Sequence, residues 1–227
     1  IRKAVRQIVS GEKKSVRVTK NTVKGYLGGR IYLYDKTNEK DEVGIARGLA
    51  WTSVGGDTMP IEVNIMPGQG HLELTGQLGD VMKESAQIAK SFIRSVGVKY
   101  GIAQDFFKKF DMHIHVPEGA VPKDGPSAGI TLATAMLSAL TGIPVRRNIA
   151  MTGEITLRGR VLPIGNKKDI EEIPGNIRKN IRLIPVAHMD EVIKYALVKK
   201  PETHPLPCPN SVVLSHAAEE AAVALEN

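Results

Sequence analysis

The chain has 227 residues, 42% of them apolar and 24% charged, with a formal net charge of +7; that length suits one substantial domain plus an appendage. No uninterrupted apolar run approaches the roughly 18 residues of a membrane-spanning helix. A single cysteine, Cys208, leaves no internal disulfide, and no Cys/His cluster has zinc-ligand spacing, which points to a reducing compartment and no metal site.

In chain order, "IRKAVRQIV" (1 to 9) reads as the end of a helix stopped by Ser10-Gly11, "SVRVT" as a short alternating strand, and "NTVKGYLGG" as a short capped helix ending on glycines. This stretch has too few apolar residues for a core of its own. From about Asp41 the pattern changes to alternating strands, "VGIARGLAW", "IEVNIM" and "HLELTG", joined by Gly/Pro/Asp turns that signal hairpins. "DVMKESAQIAKSFIRSV" (80 to 96) is an amphipathic helix that places Val81, Ser85, Ile88, Phe92 and Val96 on one face, with Asp80 as its cap.

"MHIHV" (112 to 116) is a strand presenting His113 and His115 on one face, read as polar groups of that face rather than metal ligands, since no third ligand is in evidence. "ITLATAMLSALTG" is apolar on all sides and is predicted to be a buried helix. "IAMTGEIT" and "RVLPIG" are strands flanking a turn at Arg158-Gly159. Strands before and after a central helix make an α+β domain. The basic residues are scattered, with doublets at Lys13-Lys14, Lys108-Lys109, Arg146-Arg147, Lys167-Lys168 and Lys199-Lys200 and only 4% aromatics. That is the texture of a solvated basic surface, and support for nucleic-acid binding is weak.

The chemistry concentrates in "PKDGPSAGI" (122 to 130). Pro126 suits a first helical turn, and Gly125 and Gly129 let other backbone come close. Ser127 therefore stands at a helix N-terminus, where free N–H groups and partial positive charge collect. Three uses are open to it: a helix cap, part of a phosphate cradle, or a nucleophile whose oxyanion those N–H groups would receive.

The wider context resembles one family. "HVPEGAVPKDGPSAGITLATAMLSALTG" followed by "MTGEITLRGRVLPIG", together with "IYLYDKTNEKDEVGIARGLAWTSVGGD" and "LTGQLGDVMKES", is similar nearly residue for residue to the proteolytic domain of Lon, an ATP-dependent serine protease, over roughly residues 30 to 200. The resemblance implies the Lon proteolytic fold, an α+β arrangement of the ribosomal protein S5 domain 2-like kind with mixed sheets and a buried helix starting at the catalytic serine. It implies a Ser–Lys dyad in which Ser127 is the nucleophile, with Thr152 orienting the lysine and Asp124 shaping the loop before the serine. A lysine serves as base only when desolvation or nearby positive potential makes its neutral form accessible.

The same resemblance exposes a departure. In the family "LPIG" runs into GLKEK, whose second lysine, five residues beyond the glycine, is the dyad base. Here Gly165 is followed directly by "NKKDIEEIPGN", which matches a later segment, and Ile170 stands at the expected position. The dyad lysine is therefore not present, and Lys167 and Lys168 belong to the later segment. Natural loss of roughly two dozen residues would strip a helix from a compact domain, so omission of the segment from the sequence is the more economical account.

Residues 1 to about 35 resemble the end of a preceding ATPase helical subdomain and a linker, 36 to 200 the proteolytic domain, and 201 to 227 a tail. No GxxxxGK[ST] loop occurs, so no cofactor is expected here, while ATP and Mg are implied for the whole protein. The resemblance further implies unfolded protein substrates, a homo-hexamer, no membrane, and a cytoplasmic location, or the mitochondrial matrix if eukaryotic. With no initiator methionine the chain reads as a fragment, and a targeting signal is neither present nor excluded. Two rival readings stay open: a non-catalytic assembly module of the same fold, and a small-molecule kinase of the galactokinase type, which would explain "GPSAG" alone but not "TGEITLRG".

Overall fold

The computed structural model describes residues 1–27, 40–52, 55–117, 121–162 and 172–201. The chain divides into two compact units, Ile1–Lys36 and Thr37–Asn227.

In the first unit, α1 (Arg2–Val9) and α2 (Val23–Leu27) bury no residue, as the low apolar content anticipates. Local polar contacts hold the segment: the Tyr26 hydroxyl donates to Gln7 Oε1 at 3.1 Å, and Thr19 and Thr22 cap one another reciprocally. "SVRVT" is not a strand, because no partner chain segment lies beside it among the described residues to complete a ladder.

The second unit is mixed α/β. Its main sheet has the order β3-β4-β2-β1-β5, built from β1 (Ile45–Thr52), β2 (Gly55–Pro67), β3 (Leu72–Thr75), β4 (Phe110–His115) and β5 (Ala150–Met151). β1 and β2 form the expected antiparallel hairpin, with Ile45 opposite Glu62 and Thr52 opposite Gly55. The third strand departs from the hairpin expectation: β3 runs parallel to β4, and β4 lies between it and β2. Alternation identifies a strand but not its neighbour. Asp111 makes the detour possible, because its Oδ1 accepts from the N–H groups of Gln69, Gly70 and His71 at 2.8, 2.8 and 2.7 Å and ties the β2–β3 loop to β4.

α5 (Gly129–Thr141) is buried at every residue, as a run apolar on all sides requires. It packs against β1, β2 and α3 (Asp80–Val96). Fully burying Ile130, Leu132, Met136 and Leu137 contributes about 2 kcal/mol each. Its hydroxyls turn inward onto backbone, with Thr134 Oγ1 donating to Ile130 O at 2.7 Å and Thr131 Oγ1 to Met151 O at 3.2 Å, so no polar cost offsets that gain. α3 is amphipathic, but its buried face is Met82, Ser85, Ala86, Ala89, Phe92 and Ile93, while Val81 is 43% exposed. The helix is rotated by about one residue from the predicted face, since small residues allow close approach to α5 where Val81 would not.

α3 continues into a 3-10 turn, Gly97–Tyr100, and α4 (Phe106–Lys109) follows. "IAMTGEIT" is two short strands rather than one: β5 joins the main sheet beside β1, while β6 (Glu154–Ile155) turns away to pair with β7 (Val161–Leu162) around Arg158-Gly159. α6 (Gly175–Arg178) and α7 (Met189–Ala196) complete the unit. The face of the main sheet opposite α5 carries Glu62, Asn64, Glu73, Thr75, His113 and His115, all exposed or half-buried. Among the described residues no helix is long and apolar enough to cross a membrane.

Candidate active site

Ser127 lies in a 3-10 turn, Pro126–Ala128, that leads into α5. The helix therefore begins two residues after the serine rather than at it. Pro126 occupies the start of the turn, and Gly125 ahead of it adopts φ 122, a conformation that favours glycine. Neither the 3-10 turn nor α5 has a side-chain cap. The Ser127 hydroxyl is thus not used as a helix cap, and one of its three possible uses falls away.

Two loops hold this turn from opposite sides. On one side Gly153 inserts its peptide group into the helix start: its N–H donates to Ser127 O at 2.8 Å and its carbonyl accepts from Ile130 N–H at 3.0 Å. The approach needs glycines on both partners. A Cβ on Gly129 would stand 2.8 Å from Ile155 N and 3.3 Å from Gly153 O, and one on Gly153 would stand 2.8 Å from Val161 Cγ1 and 3.2 Å from Ile130 Cδ1. The sequence-derived Thr152 lies one residue before this contact, on the exposed side of the segment. Gly153 belongs to the same "TGE" segment, and a glycine interrupting a strand pattern is the sequence signal that marks such a close approach.

On the other side Asp124 fastens the loop before the serine to the start of α3. Its Oδ1 accepts from Met82 N–H at 2.9 Å and from Gly125 N–H at 2.9 Å. The N-cap residue of α3 is Gly79, which has no side chain to offer. A Cβ there would stand 2.3 Å from Asp124 Cγ, so a carboxylate 42 residues away takes the cap position. Asp80, predicted to be the cap, is instead the first helical residue and pairs with Lys83 at 3.3 Å. Backbone bonds complete the fastening: Gly79 N–H donates to Lys123 O at 2.7 Å and Lys123 N–H to Gln77 O at 3.1 Å. Gln77 takes φ 55 to present that carbonyl.

These contacts limit what the helix start can hold. The N–H of Gly129 donates to Pro126 O and that of Ile130 to Gly153 O, so two amides a phosphate cradle would use already serve protein carbonyls. The histidine pair is likewise engaged: the Thr75 hydroxyl lies 2.9 Å from His113 Nε2 and 2.7 Å from His115 Nδ1, and Glu73 Oε2 lies 3.6 Å from His113 Nδ1. Among the described residues no group of three or more His, Cys, Asp or Glu side chains could hold a metal ion. Lys123 turns its Nζ toward Val121 O at 3.2 Å. Gly165, Asn166, Lys167, Lys168 and Ile170, and with them the junction at which the resemblance expects a dyad lysine, lie outside the described residues.

Comparison with known proteins places the chain that carries this turn in a family. The family model for the Lon protease (S16) C-terminal proteolytic domain matches residues 17–166 and 165–199, and the chain belongs to that family. Similar proteins include Lon protease of Brevibacillus choshinensis, 55% identical over 222 residues, covering 88% of this chain and 28% of that protein. Lon protease 1 of Bacillus subtilis (strain 168) is 52% identical over 219 residues, covering 87% and 28%, and Lon protease of Brucella abortus (strain 2308) 48% identical over 223, covering 88% and 28%. The chain thus spans little more than a quarter of the length of these relatives.

The family match comes in two stretches that meet at residues 165 and 166, the junction where "LPIG" runs directly into "NKKD". The alignment with the Brevibacillus protein also exceeds the part of this chain that it covers: 88% of 227 residues is about 200, so about 22 of the 222 positions are filled by the relative alone. That matches the size of the segment missing from the motif order.

Proposed function

We propose that this chain is the peptidase domain of a Lon-type serine protease in which Ser127 is the nucleophile. The observation that carries the reading is the turn at Ser127: its carbonyl is gripped by Gly153, its loop by Asp124, and its hydroxyl is not spent on capping. Fixed geometry of this kind is what nucleophilic attack on a peptide carbonyl demands.

Ser127 Oγ attacks the carbonyl carbon, its proton passes to a base, and the amine leaves with a proton returned by that base; water then clears the acyl-enzyme by the same route. Amides at the start of the turn, Ser127's own among them, are the donors that would receive the oxyanion. The base is a lysine contributed by the segment that relatives carry between the "PIG" and "NKKD" motifs, and neither Lys167 nor Lys168 replaces it. Thr152, beside the Gly153 contact, would orient that amine. Asp124 acts on the loop rather than on the reacting atoms. The S5-like lineage of the fold, a hexameric assembly, unfolded protein substrates, ATP and Mg dependence of the whole protein and a cytoplasmic location belong to the same proposal and rest on family membership.

A fluorophosphonate or peptide boronate, followed by mass mapping, tests the reading on this chain and on Ser127→Ala. A Ser127-dependent adduct is expected. If no condition yields one, the assembly-module reading takes over.

A further inference from the structure

The turn at Arg158-Gly159 closes the hairpin whose other end grips Ser127, and it is docked on the N-terminus of α7. His188 sits at that joint. Gly159 O accepts from Met189 N–H at 2.8 Å, and Val161 N–H donates to Ala187 O at 2.9 Å. The imidazole is N-cap to α7, its Nδ1 accepting from Asp190 N–H at 3.2 Å. Nε2 lies 3.0 Å from Arg158 O, and the ring stands edge-on to Phe92 of α3 at 6.5 Å.

Both polar bonds are satisfied by one state of the ring. Asp190 N–H can donate only to a lone pair, so Nδ1 is unprotonated, and Arg158 O accepts only from a proton, so Nε2 carries it. The ring is neutral in this arrangement. The same Nδ1 also lies 3.3 Å from Asp190 Oδ2, a contact that becomes attractive only when Nδ1 gains a proton. The cap and the ion pair compete for one atom.

The charged and titratable groups around the joint come from each packed element. α7 supplies Asp190 and, in its first turn, Glu191. The 3-10 turn after α3 supplies Lys99, whose Nζ lies 2.7 Å from each Asp190 oxygen, and Tyr100, whose hydroxyl donates to Asp190 Oδ1 at 2.6 Å. The hairpin turn supplies Arg158 and Arg160, both exposed. Burial pushes the Asp190 carboxyl up, but Lys99, Tyr100 and His188 outweigh it and hold it below the usual carboxylate range. Asp190 therefore stays an anion through the range in which an imidazole titrates.

We propose that His188 is a proton-operated latch on the N-terminus of α7: neutral, its Nδ1 caps the helix; protonated, Nδ1–H turns to the adjacent Asp190 carboxylate and the cap is released, while Nε2 keeps the Arg158 carbonyl. The cap bond is present while Nδ1 is unprotonated and is exchanged for the ion pair with Asp190 when Nδ1 takes up a proton. This is independent of whether the chain cleaves peptides.

Amide hydrogen exchange at Met189 and Asp190, corrected for the intrinsic rate, combined with the ring nitrogen shifts of His188, tests the latch between about pH 8 and pH 5. Loss of one cap corresponds to about a fivefold fall in protection, tracking the His188 titration. His188→Asn retains an acceptor for the cap but cannot take up a proton, so protection at Asp190 becomes independent of pH. Asp190→Asn removes the anion that receives the imidazolium, so the ring titrates at lower pH. A His188 titration with constant protection at both amides, an equal fall in His188→Asn, or an unchanged titration in Asp190→Asn would each overturn the latch.

Discussion

The two loops flanking Ser127 are fastened in different ways. The hairpin side is held by backbone on backbone, with Gly153 exchanging two hydrogen bonds with the helix start through a space that admits no Cβ. The "PKDG" side is held mainly by one exposed carboxylate, Asp124, reaching across to cap α3. A steric fit is lost outright when an atom is added, whereas a capping bond can be weakened, replaced or exchanged with water. The hairpin side thus sets where the serine stands, and the Asp124 side sets how firmly its loop is tied.

The largest effect expected is from Gly129→Ala. Its Cβ meets backbone, Ile155 N and Gly153 O, which cannot rotate away, so a loss of about 3 kcal/mol is expected in chemical denaturation, the upper part of the range for overpacking. Gly153→Ala meets side chains, Val161 and Ile130, and costs about 1–2 kcal/mol. An order reversed between these two would break the claim that backbone contact makes the hairpin side rigid.

Asp124→Ala removes the cap of α3 and costs about 1 kcal/mol, while Asp124→Asn, which keeps an acceptor, costs less. The readout is the denaturation midpoint, with slowed exchange at Met82 N–H in the native protein as a local check. Equal losses for Ala and Asn would show that the carboxylate acts otherwise than as a cap.

Asp111 gives a comparison at the far end of the sheet, since it too is a carboxylate that holds a loop through amides. The N–H groups of His71 and Gln69, with Gly70 and the nearby His71 ring adding to them, hold its carboxyl below the usual range against the opposing effect of burial. Its folded-state pKa is depressed, so its contribution to stability is complete above the ordinary carboxylate pKa and is lost as pH falls through the folded value. Asp111→Asn should therefore flatten the acid side of the stability profile, measured as thermal midpoint against pH; an unchanged slope would contradict the triple-amide clamp.

Ser127→Ala is expected to leave stability within about 0.5 kcal/mol, because the hydroxyl caps neither the 3-10 turn nor α5. A larger loss in denaturation would return Ser127 to a structural role.

Much of this was legible in the sequence, for reasons tied to particular residues. The run from Ile130 to Thr141 could be nothing but buried helix, and "MHIHV" showed its alternation plainly. The family was legible through context, since "PKDGPSAG" followed by "TGEITLRG" is far more specific than a serine near a helix start. Non-local contacts were not legible. No local pattern says that β3 will lie parallel to β4, or that Asp124 will cap a helix starting at Asp80. Periodicity does not separate Val81 from Met82, both apolar, and only packing against α5 chooses which of them the helix buries.

The central claim is that Ser127 is the nucleophile and that its proton acceptor belongs to the segment relatives carry between residues 165 and 166. Inserting that segment from the Brevibacillus relative, about 22 residues, and measuring the rate of fluorophosphonate labelling tests it most directly. The account predicts slow Ser127-dependent labelling of the present chain and a rate at least about a hundredfold higher with the segment, the scale of general-base assistance. Equal rates with and without the segment, or labelling that survives Ser127→Ala, would contradict it.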